Sequence, residues 1–128
     1  MIPKFRVWMK SLKWMCDVTN ISFDSKFVDI CQQGDTERYT EMSVEFDEIT
    51  LMQSTEFTDK NGQKIFEGDV LGTKDGLLNG VVEYRSDLGM WTNSLISYNN
   101  FERLCNVAGN REIIGNIYEN PELLEVEE

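Results

Sequence analysis

The sequence predicts a mainly β fold with one or two short helices, arranged as a small SH3-like barrel or as a meander of antiparallel strands. Short segments of alternating apolar and polar residues recur along the chain, and turn-forming residues separate them. Only one segment has the i, i+3, i+4 apolar spacing of a helix. The 128 residues, of which 41% are hydrophobic, suit one domain over residues 1–128, with a frayed tail at 124–128.

The N-terminal half contains several predicted strands. Apolar and polar residues alternate over 5–9 and again over 14–18, which is typical of two strands joined by a tight turn near Ser11. Residues 27–31 and 44–52 are further strand predictions. The polar segment 35–43 between them is expected to be a loop.

The strongest turn signal is Asn61-Gly62, which predicts a type I′ hairpin. An apolar run over 64–71 follows, and Gly68 interrupts it as a turn or bulge would. Strands are then predicted at 80–84 and 90–92, on either side of a turn at 87–89.

The C-terminal part contains the helical signal. Phe101, Leu104 and Cys105 have the spacing of one helix face, which predicts a helix within 98–108. A last strand is expected over 112–118. Asn120 and Pro121 then predict a short helical turn, because Asn caps helices and Pro suits their first position.

The charge and composition restrict the function classes. The net charge is −11, so repulsion from phosphates disfavours nucleic acid as a partner. There is no histidine, which excludes Ser-His-Asp and Cys-His catalysis within the chain. No run approaches the ~18 apolar residues of a membrane helix, and the N-terminus lacks signal-peptide features. We therefore expect a cytoplasmic protein that contacts no membrane and needs no cofactor.

The three cysteines, Cys16, Cys31 and Cys105, form no C-x-x-C pair and are widely spaced. This favours reduced thiols over disulfides or a zinc site. Glu67 and Asp69 would share a strand face if Gly68 does not bulge. Such a pair could hold a divalent cation, although a solvated strand edge explains it as well.

The early strands supply the candidate interaction surface, which consists of Phe5, Val7, Trp8 and Trp14. Apolar side chains there could form the interface of a homo-oligomer. The same stretch contains the basic residues Arg6, Lys10 and Lys13. Together with Trp8, Trp14 and Trp91 these could instead contact nucleotides, although packing in a core or an interface is the favoured explanation for the tryptophans.

Several segments resemble the YopX family of phage and prophage proteins. They read KFRVW at 4–8, LMQST at 51–55, DKNG at 59–62, IFEGDV at 65–70 and EIIGNIYENPELL at 112–124. Glu56 departs from the pattern, because family members often have a glycine there. The resemblance implies a phage or prophage protein acting inside a bacterial host cell, and it implies self-association. It supplies no catalytic residues.

The leading hypothesis is therefore a phage or prophage accessory protein that binds proteins or self-assembles and is not an enzyme. Its partner would be a second copy or a host or phage protein. One alternative is an acidic DNA mimic that inhibits a host DNA-binding protein. Another is a carboxylate and divalent-metal enzyme using Glu67 and Asp69. A nucleic-acid binder using the N-terminal basic and aromatic residues is a further one.

Overall fold

The chain folds mainly into β structure, as the sequence predicts. The computed structural model describes residues 4–125, which contain eleven strands and one short α-helix. The elements are β1 (Phe5–Met9), β2 (Trp14–Ser22), β3 (Phe27–Gln32), β4 (Met42–Glu45), β5 (Ile49–Thr58), β6 (Lys64–Phe66), β7 (Asp69–Gly72), β8 (Gly80–Arg85), β9 (Met90–Leu95), β10 (Phe101–Arg103), α1 (Leu104–Val107) and β11 (Glu112–Asn116). Three 3₁₀ helices lie at Phe46–Glu48, Ala108–Asn110 and Pro121–Leu124.

The chain divides into two compact units. Unit 1 is Met1–Gln53 and unit 2 is Ser54–Glu128. Strand β5 crosses the division. Its residues up to Gln53 pair with β1, and its residues from Ser54 pair with β6. Each unit has its own hydrophobic core. The assignment of residues 1–128 to one domain stays a prediction.

Unit 1 is an antiparallel sheet in which β4, β3, β2, β1 and β5 lie side by side in that order. The outermost strands of this unit, β4 and β5, are joined by only three residues, the 3₁₀ helix Phe46–Glu48. So short a link keeps the end of β4 near the start of β5, and β6 continues the same sheet beyond β5 in unit 2. Its core is lined by the following buried side chains: Val7, Met9, Cys16, Val28, Ile30, Val44 and Ile49.

Unit 2 contains a five-stranded antiparallel sheet with the order β10, β9, β8, β7 and β11. Its edge strands β10 and β11 are also close in sequence, because α1 and one 3₁₀ helix connect them. Leu104, from α1, is fully buried with Leu71 and Val82 from the sheet and Ile65 from β6. The short helix therefore covers one face of this sheet.

Consecutive strands pair within both units, as in a meander. Among residues 4–125 no ladder joins β4 to β5 or β10 to β11, and no closed barrel is found. The SH3-like barrel predicted from the sequence is therefore not confirmed.

Two predicted elements differ from those observed. The strand expected over 44–52 is broken by the 3₁₀ helix Phe46–Glu48, where the Glu48 carboxylate accepts a hydrogen bond from the Glu45 N–H at 2.8 Å. The helix expected within 98–108 is reduced to the single turn Leu104–Val107. Residues 101–103 instead form β10, because pairing with β9 replaces helical hydrogen bonds.

The predicted type I′ turn is wrong. Gly62 has a positive φ of 79°, but Asn61 does not, and a type I′ turn needs positive φ at both central residues. The Gly62 N–H donates to the Asp59 carbonyl at 3.0 Å, and the Asp59 N–H donates to the Gln63 carbonyl at 2.8 Å. This matches the three-residue hairpin loop that ends with a left-handed glycine.

Candidate functional site

The predicted apolar surface of Phe5, Val7, Trp8 and Trp14 is divided between the faces of the unit 1 sheet. Val7 is fully buried in the core, so it contributes nothing to a surface. Trp14 packs against the same core. Trp14 of β2 lies opposite Met9, and the next residue of β2, Met15, lies opposite Trp8. Because successive residues of a strand point to opposite faces, the two tryptophans lie on opposite faces of the sheet. Phe5 and Trp8 are half-buried.

The basic and aromatic N-terminal stretch is dispersed in the same way. Arg6 is buried, whereas Lys10 and Lys13 are exposed. Stacked bases need rings on one accessible face. Because Trp8 and Trp14 lie on opposite faces, their rings do not form one platform. Trp91 packs against the core of unit 2.

Glu67 and Asp69 do not form a carboxylate pair on one strand face. Gly68 has a positive φ of 88°, and β7 begins only at Asp69, so the alternation on which the pairing depended is broken. The buried Asp69 carboxylate accepts the N–H of Phe66 at 2.8 Å and closes the turn between β6 and β7. Among residues 4–125 no three cysteine or carboxylate side chains are grouped so as to hold a metal ion.

All three cysteines are free thiols. Cys16 and Cys31 are buried, and Cys105 is exposed. Burial, followed by the nearby Asp17 and Cys31, raises the pKa of the Cys16 thiol to about 11. Cys16 is therefore protonated at neutral pH, and as a thiol it is a poor nucleophile.

Aspartate side chains hold the turns of the molecule. Asp59 is the most connected of them, because its carboxylate accepts the N–H groups of Asn61 and Gln63 at 2.9 Å and of Ile113 at 3.0 Å. Burial raises the pKa of Asp59, but these three hydrogen bonds outweigh it and lower the pKa below its usual value. The turn after β5 is thereby joined to β11.

The segment that follows β11 is held by a pair of asparagines. The Asn116 side-chain oxygen accepts the N–H groups of Tyr118 at 3.0 Å and Glu119 at 2.8 Å. In return, the Asn120 side-chain oxygen accepts the Asn116 N–H at 3.1 Å. A Cβ atom at Gly115 would collide with that Asn120 oxygen, so any other residue there would have to displace the Asn120 side chain.

Unit 1 exposes two phenylalanines, Phe23 and Phe27, near the turn between β2 and β3, and with the half-buried Phe46 beside Phe23 we call them the aromatic cluster. Phe23 is 62% exposed and Phe27 is 43% exposed. The rings of Phe23 and Phe46 meet edge to face, with 6.0 Å between their centroids. Phe46 also lines a shallow cavity of about 370 Å³ together with Lys26 and Glu45. Large aromatic side chains on a surface are typical of protein interfaces.

Unit 2 has an open groove along β8, β9 and β10, which we call the sheet groove. Its volume is about 430 Å³. It is lined by polar and aromatic residues from the strands and from the loop before β10: Glu83, Arg85, Ser94, Leu95, Tyr98, Asn99, Asn100 and Phe101. Among the groove residues the Tyr98 side chain is notably accessible, with 52% of it exposed.

The charged groups of the sheet groove are held in defined positions. Arg85 donates to both carboxylate oxygens of Asp87, at 3.1 and 2.9 Å. These hydrogen bonds raise the pKa of Arg85 and lower that of Asp87. The Arg85 guanidinium also lies over the Phe101 ring, 5.0 Å from its centroid. On β8, Glu83 accepts the Ser94 hydroxyl at 2.5 Å.

A largely buried ionic network lies beside these strands. The Glu102 carboxylate accepts the Asn93 amide at 3.1 Å and the Arg111 guanidinium at 2.5 Å. Asn93 is fully buried, so the network fixes β9, β10 and the start of β11 relative to one another. These hydrogen bonds lie next to β9 and β10, which line the sheet groove.

The whole described chain matches one protein family. The model of the family described as YopX protein covers residues 4–125. The chain belongs to the YopX family. The YopX assignment from the sequence segments is confirmed, and the turn at Asp59 and the asparagine pair around Gly115 lie in two of those segments.

Two solved structures resemble this YopX chain. Protein EF1440 from Enterococcus faecalis is 31% identical, with a TM-score of 0.63, and the match covers 98% of this chain and 99% of that one. Protein yopX from Bacillus subtilis is 20% identical, with a TM-score of 0.54 and 98% of both chains covered. The second likeness shows the fold alone. No curated protein matches the chain.

Among residues 4–125, no helix has the length and apolar character needed to cross a membrane.

Sequence reasoning missed both the aromatic cluster and the sheet groove. Phe27 begins the strand predicted over 27–31 and Phe23 lies outside every predicted strand, and no periodic pattern distinguishes a buried ring from an exposed one at a strand end. The sheet groove combines residues 83–85 with residues 94–101, and their closeness depends on the pairing of β8 with β9. The sequence feature that could have indicated the sheet groove is Tyr98 next to two asparagines, because binding residues are often found on loops.

Proposed function

We propose that this YopX protein is a non-catalytic binding protein, an accessory of a phage or prophage that works in the cytoplasm of the host cell and self-associates through the aromatic cluster. The exposure of Phe23, at 62%, is the observation that carries the proposal. The phage setting rests on the family resemblance.

The energetics of the aromatic cluster support self-association. Complete burial of a phenylalanine side chain contributes about 1.5–3 kcal/mol relative to exposure, so Phe23 and Phe27 retain much of that gain for a partner. Unit 1 has six basic and nine acidic residues, whereas unit 2 has six and fourteen. Two copies that meet through unit 1 therefore repel each other less than two copies that meet through unit 2.

Mass measurement by light scattering over a dilution series tests the proposal. We expect an oligomer that dissociates on dilution, and we expect Phe23→Ser combined with Phe27→Ser to shift the dissociation to at least tenfold higher concentration. Leu77→Ser is the matched control, because Leu77 in unit 2 is also 62% exposed. A monomer at every concentration, or an equal effect of the control, would overturn self-association through this cluster.

The acidic composition lends less support to DNA mimicry. A mimic needs carboxylates in an open row like phosphates. Asp35, Asp59 and Asp75 each accept hydrogen bonds within their own turns, and Asp87 pairs with Arg85. These four carboxylates are engaged in hydrogen bonds and an ion pair of their own loops, so they do not contribute to such a row.

A further inference from the structure

Among residues 4–125 the two β-sheets end at four edge strands, which are β4, β6, β10 and β11. The backbone N–H and C=O groups on the outer side of an edge strand can pair with a strand from another chain. In each of these four strands a side-chain oxygen of the same chain accepts a backbone N–H group. We call such a side chain an edge cap.

The edge cap of β4 is the Glu48 carboxylate. The Phe46 N–H donates to the Lys26 carbonyl at 3.0 Å, which makes these two residues a hydrogen-bonded pair beside the β3–β4 ladder. Hydrogen-bonded and non-hydrogen-bonded pairs alternate along antiparallel strands. The N–H of Glu45, which lies opposite Phe27, therefore points away from β3. The Glu48 carboxylate accepts that N–H at 2.8 Å.

The edge cap of β10 is the side chain of Asn100. The Leu95 N–H donates to the Asn100 carbonyl at 3.0 Å, which makes these two residues a hydrogen-bonded pair. Phe101 lies opposite Ser94, one step further along the ladder, so its N–H points away from β9. The Asn100 side-chain oxygen accepts this N–H at 2.8 Å.

The other two edge strands have caps of the same kinds. On β11 the Asp59 carboxylate accepts the Ile113 N–H at 3.0 Å, and Asn120 accepts a further N–H at 3.1 Å. On β6 the Asp69 carboxylate accepts the Phe66 N–H at 2.8 Å. A hydrogen bond to a carboxylate is stronger than one to a neutral oxygen. An incoming strand would therefore have to replace strong hydrogen bonds with weaker ones.

We propose that the edge caps close both sheets to strand addition, so that another chain, including a second copy of this one, meets the protein through side chains and not through its backbone. The cap on β4 matters most, because the aromatic cluster lies beside it: Phe27 is opposite Glu45, and Phe46 follows β4. Copies that meet through this cluster would bring their β4 edges near each other, where uncapped strands could pair.

This inference goes beyond the proposed function and does not depend on it. A chain that stays monomeric at every concentration would remove self-association through the aromatic cluster. The edge caps are hydrogen bonds within one chain, so that result would leave them to be tested separately. The test is therefore made in a full chain that carries Phe23→Ser and Phe27→Ser, in which the cluster contributes no association.

The test compares Glu48→Ala with Glu48→Gln in that background. Both substitutions remove the charge, but glutamine keeps a side-chain oxygen that can accept the Glu45 N–H, whereas alanine keeps none. We expect this N–H to exchange with solvent about tenfold faster in the alanine variant, as measured by NMR. In light scattering over a concentration series, we expect the alanine variant to form larger assemblies at a concentration about fivefold or more below that needed by the glutamine variant.

Ile30→Val and Ile30→Ala control for lost stability, because Ile30 is buried in the core of unit 1 and lies on β3, which is not an edge strand. They remove different amounts of the side chain, so their urea midpoints should bracket that of Glu48→Ala. Assembly of these core variants as readily as Glu48→Ala would overturn the proposal, because lost stability would then explain it. Equal assembly of Glu48→Ala and Glu48→Gln would also overturn it, because the side-chain oxygen would then not close the edge.

Discussion

At the scale of single residues, aspartate side chains stabilise several turns by accepting hydrogen bonds from backbone N–H groups. Asp35 accepts the Thr40 N–H at 2.7 Å, and Asp75 accepts the Leu77 N–H at 3.0 Å. Asp59 and Asp69 do the same for neighbouring turns. Turns of this kind leave backbone N–H groups without a strand partner, and a nearby carboxylate satisfies them.

Asp59→Ala should destabilise the protein by about 3 kcal/mol, because three backbone N–H groups lose their acceptor in a buried place. The free energy of unfolding, measured with urea, checks this. Asp24→Ala is the control, since Asp24 is exposed in the turn after β2, and it should change stability by less than about 0.5 kcal/mol. Equal effects of the two substitutions would refute the role given to Asp59.

The thiols should react in an order set by burial. We expect iodoacetamide at neutral pH to label Cys105 quickly, because it is exposed, and to leave Cys16 and Cys31 unlabelled in the folded protein. The pKa of about 11 at Cys16 keeps that group protonated in these conditions. Peptide mass spectrometry locates the labels, and unfolding in urea should expose all three. Early labelling of Cys16 would contradict the assigned burial.

At the scale of elements, the strands with regular alternation were predictable and the irregular ones were not. The alternation over 5–9 and 14–18 corresponds to β1 and β2, because each of these strands contributes one face to the core. The apolar spacing around Leu104 predicted a longer helix than the single turn found. Residues 101–103 pair with β9 and form a strand in place of the first turn of the predicted helix. A pairing between strands cannot be seen in the spacing of residues within one segment.

The candidate sites were less predictable than the strands. A type I′ turn at Asn61 was a sound local prediction, but the Asp59 carboxylate bonds Asn61, Gln63 and distant Ile113, and it stabilises another loop. The segment around Gly115 could be recognised in the sequence as similar to the YopX family, but the physical reason for its residues could not be seen there. That reason, the contact with Asn120, appears once the chain has turned back on itself.

Gly115→Ala should cost about 1–3 kcal/mol, because a methyl group would displace the Asn120 side chain that accepts the Asn116 N–H. Thermal unfolding followed by circular dichroism measures the loss. Gly109→Ala is the matched control: an added Cβ there meets nothing within 4 Å, and its backbone φ is not positive. A Tm for Gly115→Ala as high as that of the control would contradict the close contact.

Glu56→Gly should stabilise β5. Glu56 has a φ of 67°, a left-handed conformation that disfavours side chains and suits glycine. Glu56→Ala removes the same charge but keeps Cβ, so the glycine variant should be more stable than the alanine variant by about 1 kcal/mol. Urea unfolding of the two compares them directly, and a more stable alanine variant would disprove the strain.

At the scale of the whole molecule, stability should depend on acid. The pKa values of Asp35, Asp59, Asp75 and Asp87 are lowered in the folded state, so each contributes stability above its unfolded-state pKa and loses it as the pH falls through the folded value. The urea midpoint should therefore change little from pH 7 to 5 and fall below about pH 4. Asp59→Ala should show a shallower fall. A urea midpoint that increases steadily as the pH is lowered from 7 to about 3 would contradict this prediction.

The division at Gln53 also has a consequence for how the protein is made. Every ladder that joins β1, β2, β3, β4 and the first half of β5 lies within residues 5–53. A ribosome therefore releases all the strands of this sheet before it has completed unit 2. Unit 2 differs, because β7 must wait for β11, some forty residues later, to gain its second neighbour. We expect unit 1 to begin folding on the ribosome while the β7–β11 ladder of unit 2 is still unmade.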